Sequence, residues 1–387
     1  MKIAVIGAGT VGSSLVQVLL DQEQVSTLIV LDRKGNALDE IKQMNQEHPS
    51  FSKLRTFKVG MEKYSAVVTL VKGLDVMISA LPYTLNFELA RIAVNNGCHF
   101  MDLGGSDQVF DRQLSLHDKA REKGLYVLPN CGLAPGLLNI IAYHGYKRFD
   151  DVSSICIYSG GLPLNPVPPL FHHLSFSAHG FLSEHLPPVL AVQDGKPTHV
   201  EPLSGVESIS FENRPELGEL EAFYTGGHIS TLAKTLQGSV ENLSYKTIRH
   251  KGNHTIMQAL LKLGLADKKI IDVASSMTYR DLMIRKLQEV LPETLPDIVL
   301  AKVVIEGTIK KKPSKKTIEL VYEYDPKDEH SAIMTCTAVP TALIAIITKE
   351  KQMISEPGVR APELAIPAEP FLQRIQEHGI QINETVS

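Results

Sequence analysis

No two of the four cysteines, Cys98, Cys131, Cys156 and Cys336, form a C-x-x-C pair. That removes the usual signatures of a structural zinc site and of a redox dithiol, and no metal is expected. Four scattered thiols without a disulfide framework suit a reducing compartment. Nor is one sign of charge in excess, since 39 Lys and Arg stand against 43 Asp and Glu for a net charge of -4. A protein that coats nucleic acid needs a positive face to displace counterions, so no nucleic-acid partner is expected. The short basic run from Lys246 to His254 has no interleaved aromatics on which bases would stack. Long apolar runs are missing as well. The opening MKIAVIGAGTVG breaks into glycines after about six residues, too few for a signal segment, and no later stretch reads as 18 uncharged apolar residues. The expectation is a soluble, cytoplasmic protein with no membrane partner.

What is present is ordinary globular composition, 43% hydrophobic and 21% charged over 387 residues, enough for two domains. Ile3 to Ile6 is an apolar run of the kind that sits in a parallel sheet buried on both faces. It opens into Gly7-Ala8-Gly9-Thr10-Val11-Gly12, followed by a helical pattern through Leu15, Val18, Leu19 and Leu20. Gly7 permits a tight turn, Gly9 leaves room for a pyrophosphate, and Gly12 lets the helix pack on its strand. The helix N-terminus presents free amides to the phosphates. A second run, Leu28 to Leu31, ends in Asp32, placed to accept from the adenosine ribose hydroxyls. Asp32 favours NAD, while Arg33 and Lys34 leave room for NADP. Strand and helix patterns then alternate: Thr56 to Val59, Tyr64 to Val71, Val76 to Ala80, Phe87 to Val94, His99 to Leu103, a helix around Gln113 to Glu122, and Tyr126 to Leu128. This is an α/β, Rossmann-type doubly wound parallel sheet, whose ligands bind beyond the carboxyl ends of the strands. The strand ends are SALPY (Ser79 to Tyr83), MDLGG (Met101 to Gly105) and PNCGLAPG (Pro129 to Gly136).

Those segments, with YSGGLP at Tyr158 to Pro163, TIRHKG at Thr247 to Gly252 and GVRAPE at Gly358 to Glu363, resemble the saccharopine dehydrogenase family, most closely its lysine 6-dehydrogenase branch. The resemblance covers nearly the whole chain. It implies a dinucleotide-binding domain at residues 1–133 and a second α+β domain on a mixed sheet at 134–334, carrying substrate, catalysis and oligomer contacts. A C-terminal segment at 335–387 would return to the first domain. In agreement, Ile298 to Lys310 and Thr317 to Asp325 are strand-like around the basic turn KKKPSKK, and Pro340 to Thr348 reads as a buried helix.

The activity implied is removal of hydride from a carbon bearing nitrogen, passed to NAD or NADP; in the lysine branch, ammonia leaves and the semialdehyde cyclises. Such a site needs a neutral amine, a cation for the substrate carboxylate, close approach to the nicotinamide and a proton-handling group. Arg249, in an R-x-x-G setting, resembles the family's carboxylate clamp, for which a planar fork is suited and an ammonium is not. Asp102, ending a strand, is the candidate acid/base, with capping of the following loop as its alternative. Tyr83 is a candidate donor to substrate. Gly105, Asn130 and Pro135 complete the expected substrate set, and Ala80, Leu81 and Pro82 line the cofactor.

The chain also departs from its relatives. Saccharopine-forming members carry an acid within G-L-x-P-G and a thiol before the paired glycines, where Ala134 and Ser159 stand here. Lysine-branch members lack both. The segment PPLFHHLSFSAHGFLSEHLPP holds His172, His173, His179 and His185, without the compact spacing of a metal pair. His179 is the candidate imidazole base, and the others are expected in packing or at the surface. The reading is an NAD-dependent amino-acid dehydrogenase oxidising a CH–NH2 or CH–NH bond of an amino acid or diamine, with L-lysine 6-dehydrogenase the leading activity the resemblance implies, acting as a homo-oligomer. A reductive condensation of the saccharopine or carboxynorspermidine kind is one alternative, and a cofactor-bound sensor with decayed catalytic groups is another.

Overall fold

The apolar runs of the N-terminal third pair into a single parallel sheet. The computed structural model describes residues 1–61, 63–174, 177–226, 229–292, 296–326, 330–350, 353 and 355–387. Strands β1 (Lys2–Ile6), β2 (Thr27–Asp32), β3 (Leu54–Lys58), β4 (Val76–Ser79), β5 (His99–Asp102) and β6 (Tyr126–Leu128) join the short strand Gly358–Val359. Their order is Gly358–Val359, β6, β5, β4, β1, β2, β3. Every pairing is parallel. The order reverses at β1, so the crevice beyond its carboxyl end is where a dinucleotide binds in such sheets. Helix α1 (Thr10–Leu20) follows at once and buries Leu15, Val16, Leu19 and Leu20. Complete burial of each such leucine contributes about 1.5–3 kcal/mol.

Three expected boundaries move. The helix around Gln113 to Glu122 is two helices, Asp107–Leu114 and His117–Glu122. The first is started by Ser106, whose hydroxyl accepts from the amide of Val109 at 3.4 Å. The basic KKKPSKK segment is not a broad turn. Strands Asp297–Ile309 and Lys312–Glu323 are joined by Lys310 and Lys311 alone, both at positive φ, and Pro313 to Lys316 lie in the ladder. A two-residue hairpin of type I′ needs that backbone at both central positions. The helix expected from Pro340 runs from Ala332 to Lys349. It has mean hydropathy 1.6 and is long enough to cross a membrane, yet 78% of it is buried inside the fold, as in a core helix. Its threonines hid that length from an apolar-run reading. Two of their hydroxyls turn back onto the helix, Thr341 toward the Thr337 carbonyl and Thr348 toward that of Ile344, each at 2.8 Å, and Thr341 also lies 2.9 Å from the Cys131 carbonyl.

Two compact units result. The first comprises Met1–His144, Ser230–Thr235 and Met334–Ile380, and the second Gly145–Ile229, Leu236–Ile333 and Gln381–Ser387. The expected boundaries at 133, 134–334 and 335–387 are therefore corrected at three places. Helix Leu137–Tyr146 buries Leu137, Leu138, Ile140 and Ile141 and stays with the first unit through His144. The short helix Ser230–Thr235 is held there by buried polar groups. Asn130 Nδ2 donates to Ser230 Oγ at 3.2 Å, and the Thr231 and Thr235 hydroxyls donate to the Glu363 carboxylate at 3.1 and 2.9 Å. Finally, Gln381–Val386 is a strand of the second unit, paired with Lys312–Glu323.

The second unit is built on a nine-stranded sheet. Its main path runs Glu207–Ile209, Leu220–Tyr224, Val240–His250, Asp151–Pro163, Asp297–Ile309, Lys312–Glu323 and Gln381–Val386, with the hairpin Val189–Gln193 and Lys196–Val200 branching from Val240–His250. The Val240–His250 and Asp151–Pro163 pair is parallel and its neighbours are antiparallel, so the sheet is mixed as expected.

Candidate active site

In the first unit the glycine loop leaves β1 with Gly7 at φ +114°, where a β-carbon would stand 2.7 Å from the Ala80 carbonyl oxygen. A β-carbon on Gly12 would overlap the Gly7 carbonyl. Around Gly9, in contrast, no atom of the described residues beyond its chain neighbours and the helix's own backbone lies within 4 Å of that position, and no described side chain caps the helix that it starts. An exposed loop, an uncapped helix N-terminus and clear space over the middle glycine together fit a pyrophosphate. Thr10 and Val11 open that first turn, and Leu81 Cδ2 comes within 3.1 Å of the Gly7 position, so Ala80 and Leu81 flank the loop while Pro82 is exposed beside them. At the end of β2 the Asp32 carboxylate accepts from the Ala8 amide and the Lys34 amide, each at 2.7 Å. It holds the loop in place and retains lone pairs for a ribose. Arg33 and Lys34 are exposed.

The remaining strand ends correct several expectations. Asp102 is 1% exposed. It accepts from Gly104 N at 2.8 Å, Gln113 Nε2 at 2.7 Å and Asn130 N at 3.2 Å. Burial pushes its carboxyl up, against those hydrogen bonds. With both oxygens engaged and no solvent access, it ties three loops together and is not placed as an acid/base. Asn130 and Pro135 are buried beneath Gly104, whose β-carbon would overlap Asn130 Oδ1 and approach Pro135 Cγ to 2.8 Å. They brace the loop and present nothing to a substrate. Gly105 is exposed and lies against the ring of Tyr83, which is itself 43% exposed. Tyr83 and Gly105 therefore remain available to a ligand.

The second unit carries the cation. Residues Tyr245, Thr247 and Arg249 share one face of the Val240–His250 strand, as alternate positions must. Arg249 is 4% exposed. Nη1 donates to the Ile248 carbonyl at 2.9 Å, Nη2 lies 3.7 Å from Glu184 Oε2, and Nε has no partner among the described residues. A buried guanidinium edge is rarely left unfilled, so an ordered water or a ligand group is needed there. Burial holds its pKa below the ordinary value, opposed by Glu184 and Tyr245. The other basic groups of the stretch are spoken for. Lys246 pairs with Glu207 at 2.6 Å, Lys251 with Glu219 at 2.7 Å in solvent, and the His250 and His254 rings meet the carbonyls of Pro163 and Leu203.

The histidines divide into one exposed ring and three buried ones, the latter in packing as expected. His179 is exposed near the start of helix Ala178–Glu184, whereas His172, His173 and His185 are buried. His172 stacks on Phe181 with ring centres 4.9 Å apart, and His185 lies 5.0 Å from the same ring. Burial first, then Arg249, pushes His172 well below its usual value and His173 down to about 4. These two rings are neutral at neutral pH, and it is they, not the exposed His179, on which the Arg249 charge acts. Among the described residues no group of three His, Cys, Asp or Glu side chains has metal-holding geometry. The residue that sequence reasoning missed is Glu184. Burial pushes its carboxyl up to about 7, with Arg249 opposing. One acid in a histidine-rich segment carries no motif, and its proximity to Arg249 arises only when helix and strand meet.

Residues 132–380 match the family model of the saccharopine dehydrogenase C-terminal domain, and residues 3–128 that of the saccharopine dehydrogenase NADP binding domain. The chain belongs to the saccharopine dehydrogenase family. It is 23% identical over 250 residues to an alpha-aminoadipic semialdehyde synthase of Arabidopsis thaliana, covering 61% of this chain and 23% of that protein. It is 25% identical over 161 residues to a carboxyaminopropylagmatine dehydrogenase of Synechocystis, covering 39% of each. The chain thus matches less than half the length of these relatives. The apo saccharopine dehydrogenase (L-Glu forming) of Saccharomyces cerevisiae has the same fold, with a TM-score of 0.79 at 18% identity over 100% of this chain and 99% of that one. The first unit therefore contains a nicotinamide-dinucleotide-binding domain.

Which dinucleotide is preferred can be read at Asp32. Replacing Asp32 with alanine is expected to shift the ratio of NAD to NADP dissociation constants toward NADP by about one to two decades, the loss of a charged acceptor. The ratio is the readout because the same carboxylate also steadies the loop for both cofactors. A wild-type protein that already binds NADP more tightly, in calorimetric titration, would assign the choice to Arg33 and Lys34.

Proposed function

We propose that the chain is an NAD(P)-dependent oxidoreductase acting on a CH–NH2 or CH–NH bond of an amino acid, with NAD preferred and L-lysine 6-dehydrogenase as the leading activity. One observation carries the amino-acid part: Arg249 is a buried guanidinium whose Nε edge finds no acceptor among the described residues. A substrate carboxylate supplies that acceptor with matching geometry. The nicotinamide, when bound, takes the hydride from the carbon bearing nitrogen. The residues of this chain do the rest: the loop from Gly7 to Gly12 and Asp32 hold the dinucleotide, and Arg249 fixes the carboxylate end. Tyr83 offers a donor that no described residue uses. In the lysine case an amine carbon loses hydride, water adds to the resulting imine, and ammonium leaves the aldehyde, which closes on the remaining amine. The carboxyaminopropylagmatine dehydrogenase relative favours a second reading, reductive condensation of an aldehyde with an amine.

The two directions separate in one assay. Purified protein with NAD and lysine, ornithine, saccharopine or diamines, at several pH values, is expected to form NADH with an α-amino acid. Reduced cofactor consumed only when an aldehyde and an amine are both present would select the condensation. A protein that binds NAD tightly and turns over nothing in either direction would be a sensor, and the dehydrogenase reading would fall.

A further inference from the structure

Arg249 has too few acceptors, and the acid beside it has too few donors. Among the described residues no hydrogen bond reaches the Glu184 carboxylate, and its separation of 3.7 Å from Arg249 Nη2 is an ion pair without a hydrogen bond. An ionised carboxylate has about four acceptor sites. Leaving them empty in a mostly buried setting is costly, and Glu184 keeps only 20% of its side chain exposed. The contacts of the described neighbours do not fill the gap. His172 and His173 are held neutral, His185 Nδ1 is engaged with the Phe181 carbonyl at 2.8 Å, and the Tyr245 and Thr247 hydroxyls lie 3.4 Å from the Ser159 carbonyl.

We propose that Glu184 receives the α-ammonium of an amino-acid substrate and forms, with Arg249, a two-point clamp for a zwitterion. This rests on the amino-acid reading above and specifies the head of the substrate that the reading leaves open. The acceptor that Arg249 lacks and the donors that Glu184 lacks occur together on one ligand, separated by a single carbon. A carboxylate seated on Nε and Nη2 takes over the guanidinium edge that Glu184 now approaches and frees Glu184 for the ammonium. The clamp would exclude plain polyamines, which bring no anion to Arg249, and simple carboxylic acids, which bring no cation to Glu184.

Three ligands dissect the clamp on the NAD-loaded protein: L-lysine, 6-aminohexanoate, which lacks the α-ammonium, and cadaverine, which lacks the carboxylate. Calorimetric binding and kcat/KM are measured for wild type, Glu184→Gln and Glu184→Asp. Wild type is expected to favour lysine over 6-aminohexanoate by about 10- to 100-fold, the range for hydrogen bonds to a charged group. In Glu184→Gln that ratio should collapse to near one, and in Glu184→Asp it should be partly kept. A wild-type protein that does not distinguish the two ligands, or a Glu184→Gln protein that keeps the full ratio while weakening both equally, overturns the proposal and makes Glu184 a brace for Arg249. Should Glu184→Gln not fold, the wild-type ratio and the Asp variant decide. Discriminating binding without turnover would keep the clamp and reject the dehydrogenase reading; no binding of any of the three would reject both.

Discussion

Arg249→Lys is expected to lower kcat/KM for α-amino acids by about 1.5 to 3.5 decades while leaving the affinity for dinucleotide unchanged. Breaking one side of a desolvated charge pair costs about 2–5 kcal/mol, and each 1.4 kcal/mol is tenfold. Lysine at this position keeps the charge but loses the fork, so the loss measures geometry and not net charge. Arg249 also donates to the Ile248 carbonyl and faces Glu184, so the variant's melting temperature must be recorded alongside its kinetics. An amine without a carboxylate supplies the internal control, since it never used the clamp. Equal losses for carboxylated and decarboxylated substrates would indicate a damaged fold, and no loss for either would leave Arg249 a structural cation. Lys251→Ala should change little, because Lys251 is 71% exposed and its pair with Glu219 lies in solvent.

Gly9→Val is expected to abolish measurable binding of both NAD and NADP in a protein that still folds. The backbone at Gly9 is extended, with φ -74° and ψ -173°, which valine adopts readily, and no atom of the described residues beyond its chain neighbours and the helix's own backbone lies within 4 Å of the new β-carbon. The cost to stability is that of a poorer helix start, on the order of 1 kcal/mol, or a fall of about 2–4 °C in melting temperature. The added methyl groups would occupy the space over the loop in which a pyrophosphate has to lie. Gly12→Ala makes the contrast, since its β-carbon overlaps the Gly7 carbonyl and should destabilise the first unit itself. A folded Gly9→Val protein that titrates NAD with wild-type affinity would remove the loop from the cofactor site.

The cofactor end was legible in the sequence because its determinants are local. A buried parallel strand, three glycines at fixed offsets and an acid at the next strand's end all follow from backbone sterics within some thirty residues. The remaining site was legible only in part, because its determinants are distant in sequence. Asp102 ends a strand as an acid/base might. Its partners Gln113 and Asn130 come from later elements and convert it into a tie. The histidine segment showed four similar rings, and only packing around Phe181 separates the buried ones from His179. Arg249 could be singled out by type and setting, whereas Glu184 gained meaning only from its partner across the fold. The helix Ala332–Lys349 was half seen, because Pro340 reads as a beginning although it stands inside the helix.

The chain passes from one unit to the other after His144, Ile229, Thr235, Ile333 and Ile380. During synthesis the first unit therefore cannot close when its six N-terminal strands have left the ribosome. It still lacks the helix Ser230–Thr235, the helix Ala332–Lys349 and the edge strand Gly358–Val359. The second unit in turn waits for its last strand, Gln381–Val386. Each unit is thus completed only by segments that follow most of the other, and a nascent chain carries unfinished sheet edges in the meantime, when pairing with another chain is a hazard. A chain stopped between residues 236 and 333 would hold two incomplete units, where domains encoded one after the other would leave one finished and one missing.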